Sequence, residues 1–243
     1  MKNALIKAFE NHQFFFVSQA IMDTSVNAPL FYEALLRKKE GNSIVPPSTF
    51  IDQMELELNR ECLDSLSSFE LNDCLVALMY EFSESLRSSN MSGVSFNFTC
   101  TQICNENFCT LLIDKFSETL NSGFTVVVEI VERGTDVDLG IFRTSLTRLS
   151  DAGFLLALDD LENPNLPLLH YGVFEYNFIK IDKIHFNSVI RSALSYQGIV
   201  NEKSYLVDKT LKTKIIIERI ENKQEAVYFM DKNIHLQQGY YYN

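Results

Sequence analysis

Six apolar stretches along the chain adjoin a polar or charged residue, and this recurrence is its strongest regular signal. Phe154-Leu155-Leu156-Ala157-Leu158 leads into Asp159-Asp160, Val126-Val127-Val128 into Glu129, Ile215-Ile216-Ile217 into Glu218, and Phe178-Ile179 into Lys180. Asn97 closes Val94-Ser95-Phe96-Asn97, and Glu33 opens Glu33-Ala34-Leu35. Continuous apolar runs of this length predict strands covered on both faces, as parallel sheets require. A carboxylate at such an end is costly to desolvate unless a cation compensates it. Acids and one lysine gathered at a single rim would make a metal site with a catalytic lysine.

The coarser pattern supplies the frame. Phe14–Ile21 and Phe31–Arg37 predict strands separated by a polar turn, residues 23–29. Lys38–Ser43 predicts a charged loop, and Pro46-Pro47-Ser48 a helix start. Leu63–Leu86 predicts a helix whose core stripe is Leu71, Cys74, Leu75, Leu78, Met79, Phe82 and Leu86. Further strands are expected at Val94–Phe98, Thr125–Ile130, Phe154–Asp160, Tyr176–Ile181, Lys214–Ile217 and His235–Tyr240. Helices are expected at Ile103–Leu120, Leu139–Ser150, Ser188–Lys212 and Glu225–Met230, and a Pro/Asn-rich loop at residues 163–167. Strand and helix alternate with no linker or composition break. This predicts one α/β domain over residues 1–243, a (β/α)8-type barrel, although alternation alone also fits an open α/β sheet. In such barrels the active site lies where the strands end, so the polar endings would converge.

Composition narrows the function. With 46% hydrophobic residues the chain can bury a sizeable core. The net charge of −11 argues against binding a DNA or RNA polymer through its phosphates, yet allows a small phosphate ligand held through cations. The cysteines, Cys62, Cys74, Cys100, Cys104 and Cys109, are odd in number, which fits a reducing compartment. Cys100, Cys104 and Cys109 lack the Cys-x-x-Cys or paired-histidine spacing of a zinc site. Met1–Gln13 has no apolar core of signal-peptide length, and no run approaches the ~20 apolar residues of a membrane span. A cytoplasmic location without membrane contact is the expectation.

The residues also resemble a known family. Glu33-Ala34-Leu35-Leu36-Arg37, Asn97, Glu129-Ile130-Val131-Glu132, Asp159-Asp160, Lys180-Ile181-Asp182, Glu218-Arg219-Ile220-Glu221 and Gln238-Gly239-Tyr240 occur in the order of the EAL domain, over most of the chain. EAL domains are bacterial phosphodiesterases that open cyclic di-GMP to the linear dinucleotide pGpG. Their fold is a modified TIM (β/α)8 barrel with one antiparallel strand. The resemblance implies two ions per site, Mg2+ or Mn2+. Glu33, Asn97, Glu129 and Asp159 would hold one, Asp160 would bind the second with Asp159, and Glu218 would complete the cluster. Lys180 corresponds to the lysine that contacts the attacking water, with Glu33 and Glu218 completing the catalytic set. Gln19, Arg37 and Gln238 correspond to substrate-side residues, Gln238 holding water or metal and Arg37 a substrate phosphate. Glu132, Asp182 and Glu221 resemble acids that support the ligands from behind.

The chemistry requires these residue types. A phosphodiester repels hydroxide, so cations must neutralise its oxygens and bring the pKa of a bound water from 15.7 to about 7. Carboxylates and an amide oxygen suit hard Mg2+ or Mn2+ better than zinc. A lysine ammonium is a compact charge able to orient the water. The stretch after Asp160 departs from the family: Leu161-Glu162-Asn163-Pro164 replaces a Gly-containing loop that positions metal and substrate and links the site to a dimer interface. Ala20 replaces a proline, and Arg219 a glycine. Two readings follow, a cyclic di-GMP phosphodiesterase, and a degenerate EAL protein that regulates by binding a protein target or sensing cyclic di-GMP. A homodimer is compatible with either.

Overall fold

The turn between the first two strands sets the topology. In the computed structural model, which describes residues 2–64, 68–131, 137–159, 174–188 and 213–242, only residues 24–27 join β1 (Phe14–Asp23) to β2 (Ala28–Glu40). So short a connection reverses the chain, whereas parallel neighbours need a crossover of about a dozen residues or more. β1 and β2 are accordingly antiparallel, with Gln19 opposite Glu33.

β4 (Gly93–Thr99) is parallel to β2, and β5 (Thr125–Val131), β6 (Leu155–Asp159), β7 (Phe178–Asp182), β8 (Lys214–Glu218) and β9 (Leu236–Gln237) each run parallel to the strand before. β9 then pairs antiparallel with β1, which closes an eight-membered barrel. This is the expected modified TIM barrel, and the reversed strand is β1. The two strands expected on either side of a polar turn thus form a hairpin after α1 (Lys2–Glu10), and strand–helix alternation begins only after it. β3 (Ser43–Val45) is a short addition to β2 outside the barrel. Residues 38–43, expected as a loop, are the end of β2, a tight turn and the start of β3, with Gly41 at φ 59 supplying the left-handed residue of that turn.

The helices differ from expectation where polar side chains intervene. α1 (Lys2–Glu10) was not anticipated; it buries only Leu5 and Ala8, too short a stripe to stand out in the sequence. The prolines give one 3-10 turn, Pro47–Thr49, before α2 (Ile51–Leu63). The helix expected across residues 63–86 is divided: α2 stops at Leu63, and α3 (Glu70–Ser88) starts anew. The buried Glu61 carboxylate accepts from the backbone N–H groups of Leu71 and Asn72, both at 3.0 Å, so an acid of α2 caps α3. The next helix is divided as well, into α4 (Cys100–Ile103) and α5 (Glu106–Asn121), because Asn105 caps the latter through Phe108 N–H. α6 (Leu139–Asp151) and α7 (Lys223–Met230) match expectation closely. No helix among the described residues is long and apolar enough to cross a membrane.

The alternation of strand side chains produces two cores. Outward residues such as Val126, Val128, Leu156, Leu158, Ile179 and Ile217 pack with the helices. Inward residues Ile21, Phe31, Val127, Ala157, Phe178, Ile216 and Leu236 form a separate apolar floor inside the barrel. The rings of Phe31 on β2 and Phe178 on β7 meet across the barrel with centroids 5.2 Å apart, so the interior is filled rather than open.

Candidate functional site

The site is the next layer above that floor. A strand returns to the same face every second residue. Two positions beyond Phe31, Val127, Ala157, Phe178, Ile216 and Leu236 stand Glu33, Glu129, Asp159, Lys180, Glu218 and Gln238. Buried Ser95 is followed in the same way by Asn97. β1 runs the other way, and Gln19 accordingly precedes its floor residue, Ile21, by two. Glu218 ends β8 and Asp159 is the last described residue of β6; Glu33, Glu129, Asn97 and Lys180 lie within strands whose pairing continues past them, as Val131 opposite Asp159 illustrates.

Lys180 is the hub. Its Nζ lies 3.1 Å from Glu33 Oε2, 2.8 Å from Glu129 Oε2, 3.2 Å from Asp159 Oδ1 and 3.0 Å from Glu218 Oε1. Lysine and the first three acids are almost wholly buried. Asn97 Nδ2 donates to Glu33 Oε1 at 3.0 Å, while Gln238 Nε2 donates to Glu33 Oε2 at 2.6 Å and to Gln19 Oε1 at 3.1 Å.

The electrostatics follow from burial. Burial pushes the Glu129 carboxyl up to about 7, with Lys180 opposing and Glu33 reinforcing the shift. Burial likewise raises Asp159 well above the usual carboxylate range, Lys180 opposing and Glu218 adding to it. Burial acts on Glu33 in the same sense, but Lys180, Gln238 and Asn97 outweigh it and hold this acid below its ordinary value. For Lys180 burial favours the neutral amine, yet Asp159, Glu129, Glu218 and Glu33 together raise it well above the usual lysine range. The lysine is therefore a fixed cation at neutral pH.

One ammonium among four carboxylates leaves the layer short of positive charge. Oxygens of Glu33, Glu129 and Asp159 lie within 4.8 Å of one another, a spacing one metal ion can bridge. The buried amide oxygens of Asn97 and Gln238 find no hydrogen-bond donor among the described residues. Buried acceptors without donors are costly, and a hard cation would satisfy them. The donor set fits a divalent ion that prefers oxygen.

The remaining expected residues divide. Asp182 lies at the end of β7, buried, accepting from Ile184 N–H at 2.9 Å and pairing with Arg219 Nη1 at 2.8 Å. Arg37 is half-buried on β2, four residues beyond Glu33, and donates to Leu36 O at 2.9 Å. Glu221 is exposed, 3.6 Å from Lys183, and is not brought to the cluster. Asp160, Glu132 and the loop after Asp160 lie outside the described residues. The arrangement also singles out Arg219, which the sequence marked only as a departure from glycine. It adopts φ 61, a left-handed conformation that costs a residue with a side chain about 1 kcal/mol. The signal was a long cationic residue directly after a strand-terminal acid.

Comparison with known proteins agrees with this geometry. A family model described as the EAL domain matches residues 2–243. The cyclic di-GMP phosphodiesterase PdeL of Escherichia coli (strain K12) is 23% identical over 248 residues, covering 99% of this chain and 64% of PdeL. The probable cyclic di-GMP phosphodiesterase PdeG of the same organism is 27% identical over 162 residues, covering 61% of this chain and 29% of PdeG. The chain thus spans less than two thirds of either relative. An EAL domain protein from Listeria monocytogenes EGD-e superposes with a TM-score of 0.72 at 19% identity, over 100% of this chain and 92% of that one. The Xanthomonas citri FimX EAL domain, in complex with cyclic di-GMP, gives 0.72 at 12% identity, over 98% and 91%. At these identities the structural likeness establishes the fold.

Proposed function

This chain belongs to the EAL domain family, and from that premise we propose that it hydrolyses cyclic di-GMP to linear pGpG with divalent metal assistance, residues 1–243 acting as one domain. The observation that carries this reading is the layer of inward acids around Lys180, with the amide oxygens of Asn97 and Gln238 buried among them and without donors among the described residues. Glu33, Asn97, Glu129 and Asp159 would hold one Mg2+ or Mn2+, and Asp160 and Glu218 would extend the set to a second ion. Bound there, the ions supply charge to neutralise the phosphodiester oxygens and to acidify a water.

The rest of the work falls to the side chains. Lys180 stays protonated, so it serves as a hydrogen-bond donor that orients the attacking water and steadies developing negative charge, rather than as the base that removes its proton. Gln238, fixed between Gln19 and Glu33, keeps its oxygen directed into the site and restricts where a water can sit. Glu33 is held in the ionised form by Lys180, Gln238 and Asn97, which suits it to bind a cation at neutral pH. Arg37 and Gln19 are the proposed substrate-side contacts. The floor beneath is buried and apolar, which strengthens every charge interaction above it.

The test is incubation of the purified chain with cyclic di-GMP and Mn2+, with the linear product followed by chromatography. Turnover in wild type and its loss in Glu33→Ala are expected; equal turnover in both would end the proposal. A second reading, regulation through a protein target without hydrolysis, is favoured by the strained Arg219 beside Glu218 and by the sequence after Asp160. Binding of cyclic di-GMP without product would select it.

A further inference from the structure

The mouth of the barrel carries a cation that the family resemblance does not anticipate. β8 ends at Glu218, whose carboxylate faces inward to Lys180. Continued strand geometry would send the next side chain to the outer face. Arg219 leaves that geometry, with φ at 61, and its Nη1 turns back to lie 2.8 Å from Asp182 Oδ2. Asp182 is two positions beyond Lys180 on β7, so it shares the inward face, and it sits opposite Glu218 in register. The guanidinium therefore stands over the barrel mouth, one layer above the Lys180 ammonium.

Its support is rigid. Ile220 N–H donates to Gln238 O at 3.0 Å and Tyr241 N–H to Ile220 O at 3.0 Å, so the segment after β8 is locked to the segment after β9. The two backbones approach so closely that a Cβ on Gly239 would lie 2.0 Å from Ile220 O. Asp182 anchors the arginine from below with a side chain only 8% exposed, while the arginine side chain itself is 62% exposed. A guanidinium paired through Nη1 yet still largely exposed retains further N–H donors for an oxyanion partner. Neighbouring Lys183 is committed elsewhere, 2.8 Å from Glu225.

We propose that Arg219 is a phosphate-contacting residue particular to this chain: anchored by Asp182, its guanidinium takes a non-bridging oxygen of the phosphodiester entering the mouth. The inference rests on the reading of the site as one for a cyclic dinucleotide. It answers an electrostatic problem of that reading, since an anion must approach Glu33, Glu129, Asp159, Glu218 and Asp182 at one opening. A guanidinium on the rim offsets part of that repulsion and fixes the orientation of the entering phosphate.

The experiment is calorimetric titration of cyclic di-GMP into the full chain, with Ca2+ present to permit binding without turnover, at two salt concentrations. Wild type is compared with Arg219→Gly and Arg219→Lys, and each protein is also titrated with Mn2+ alone. Glycine suits φ 61 and should fold at least as well as arginine. Expected are an increase in Kd of about tenfold in Arg219→Gly, a smaller one in Arg219→Lys, a shallower salt dependence, and unchanged Mn2+ affinity. Equal or tighter cyclic di-GMP binding by Arg219→Gly overturns the inference. So does a parallel loss of Mn2+ affinity, because the arginine would then act only by bracing Glu218. Wild type that binds Mn2+ but no cyclic di-GMP removes the functional reading and this inference with it, a result distinct from both.

Discussion

Lys180 and Glu129 stand on strands that do not pair, β7 and β5, yet the ammonium and carboxylate are 2.8 Å apart and neither reaches solvent. Barrel curvature brings them together: β6, between them, contributes Asp159, while Glu33 and Glu218 approach from β2 and β8. One cation thus ties four strands through their side chains, and stability and metal chemistry share the same residues.

Lys180→Met should separate those two roles. Removing one partner of a buried charge set costs about 3–5 kcal/mol. The urea midpoint in EDTA should fall accordingly, and saturating Mn2+ should restore much of it without restoring hydrolysis. An unchanged midpoint in EDTA would show that the acids do not depend on the lysine.

Glu129→Gln replaces the acid by a neutral group of the same shape. Because burial already pushes this carboxyl up to about 7, the substitution mimics a form the protein readily adopts. Stability should change by no more than about 1 kcal/mol, while Mn2+ affinity by calorimetry should fall at least tenfold. Retained affinity would remove Glu129 from the ligand set.

Acidity should act in an unusual direction in the metal-free protein. Between 4.5 and about 7 the unfolded chain has released the Glu129 proton and the folded chain has kept it, so stability falls as pH rises through that window. Asp159, also raised, acts in the same sense. Glu33 is lowered, so its contribution is lost only as pH drops below the ordinary carboxylate value, outside the window. The slope is at most about 1.4 kcal/mol per pH unit for each group. Urea midpoints in EDTA should decline from pH 5 to pH 7, and Mn2+, which selects the ionised acids, should reverse the trend. A midpoint that rises with pH in EDTA would contradict the assignment.

Gly239→Ala should be severe for a substitution of one methyl group. A Cβ there would lie 2.0 Å from Ile220 O and 2.3 Å from Ile220 N, both backbone atoms that cannot yield locally. A loss of about 3 kcal/mol or more is expected. Glu218 and Gln238 should shift with it, so Mn2+ affinity should fall along with the melting temperature. A variant with native stability would mean that the two strand exits are not locked together.

Much of this was legible in the sequence. The alternation of strands and helices left a barrel and an open α/β sheet both standing, and the motif order pointed to the family whose model matches the chain. The acids, Asn97, Lys180 and Gln238 were named from the sequence, and the structure brings them into one layer. Less legible were the helix breaks: Glu61 caps α3 from a different helix, a contact that no local window contains. The bond from Arg37 to Leu36 O and the approach of Glu221 to Lys183 were not legible either, because motif position fixes the face of an element and not the reach of a side chain.

By itself the sequence determined parity and order. Alternation places Glu33, Glu129, Asp159, Lys180, Glu218 and Gln238 each two steps from an apolar residue on the same face, and a four-residue turn forces β1 to run backwards. Only the tertiary structure decided depth and partnership. Gln19 reaches Gln238, 219 positions away, because β9 closes on β1. That closure turns a row of inward side chains into a ring around Lys180. In the resulting low-dielectric interior, distances of about 3 Å shift the acids in opposite directions, which no linear spacing encodes.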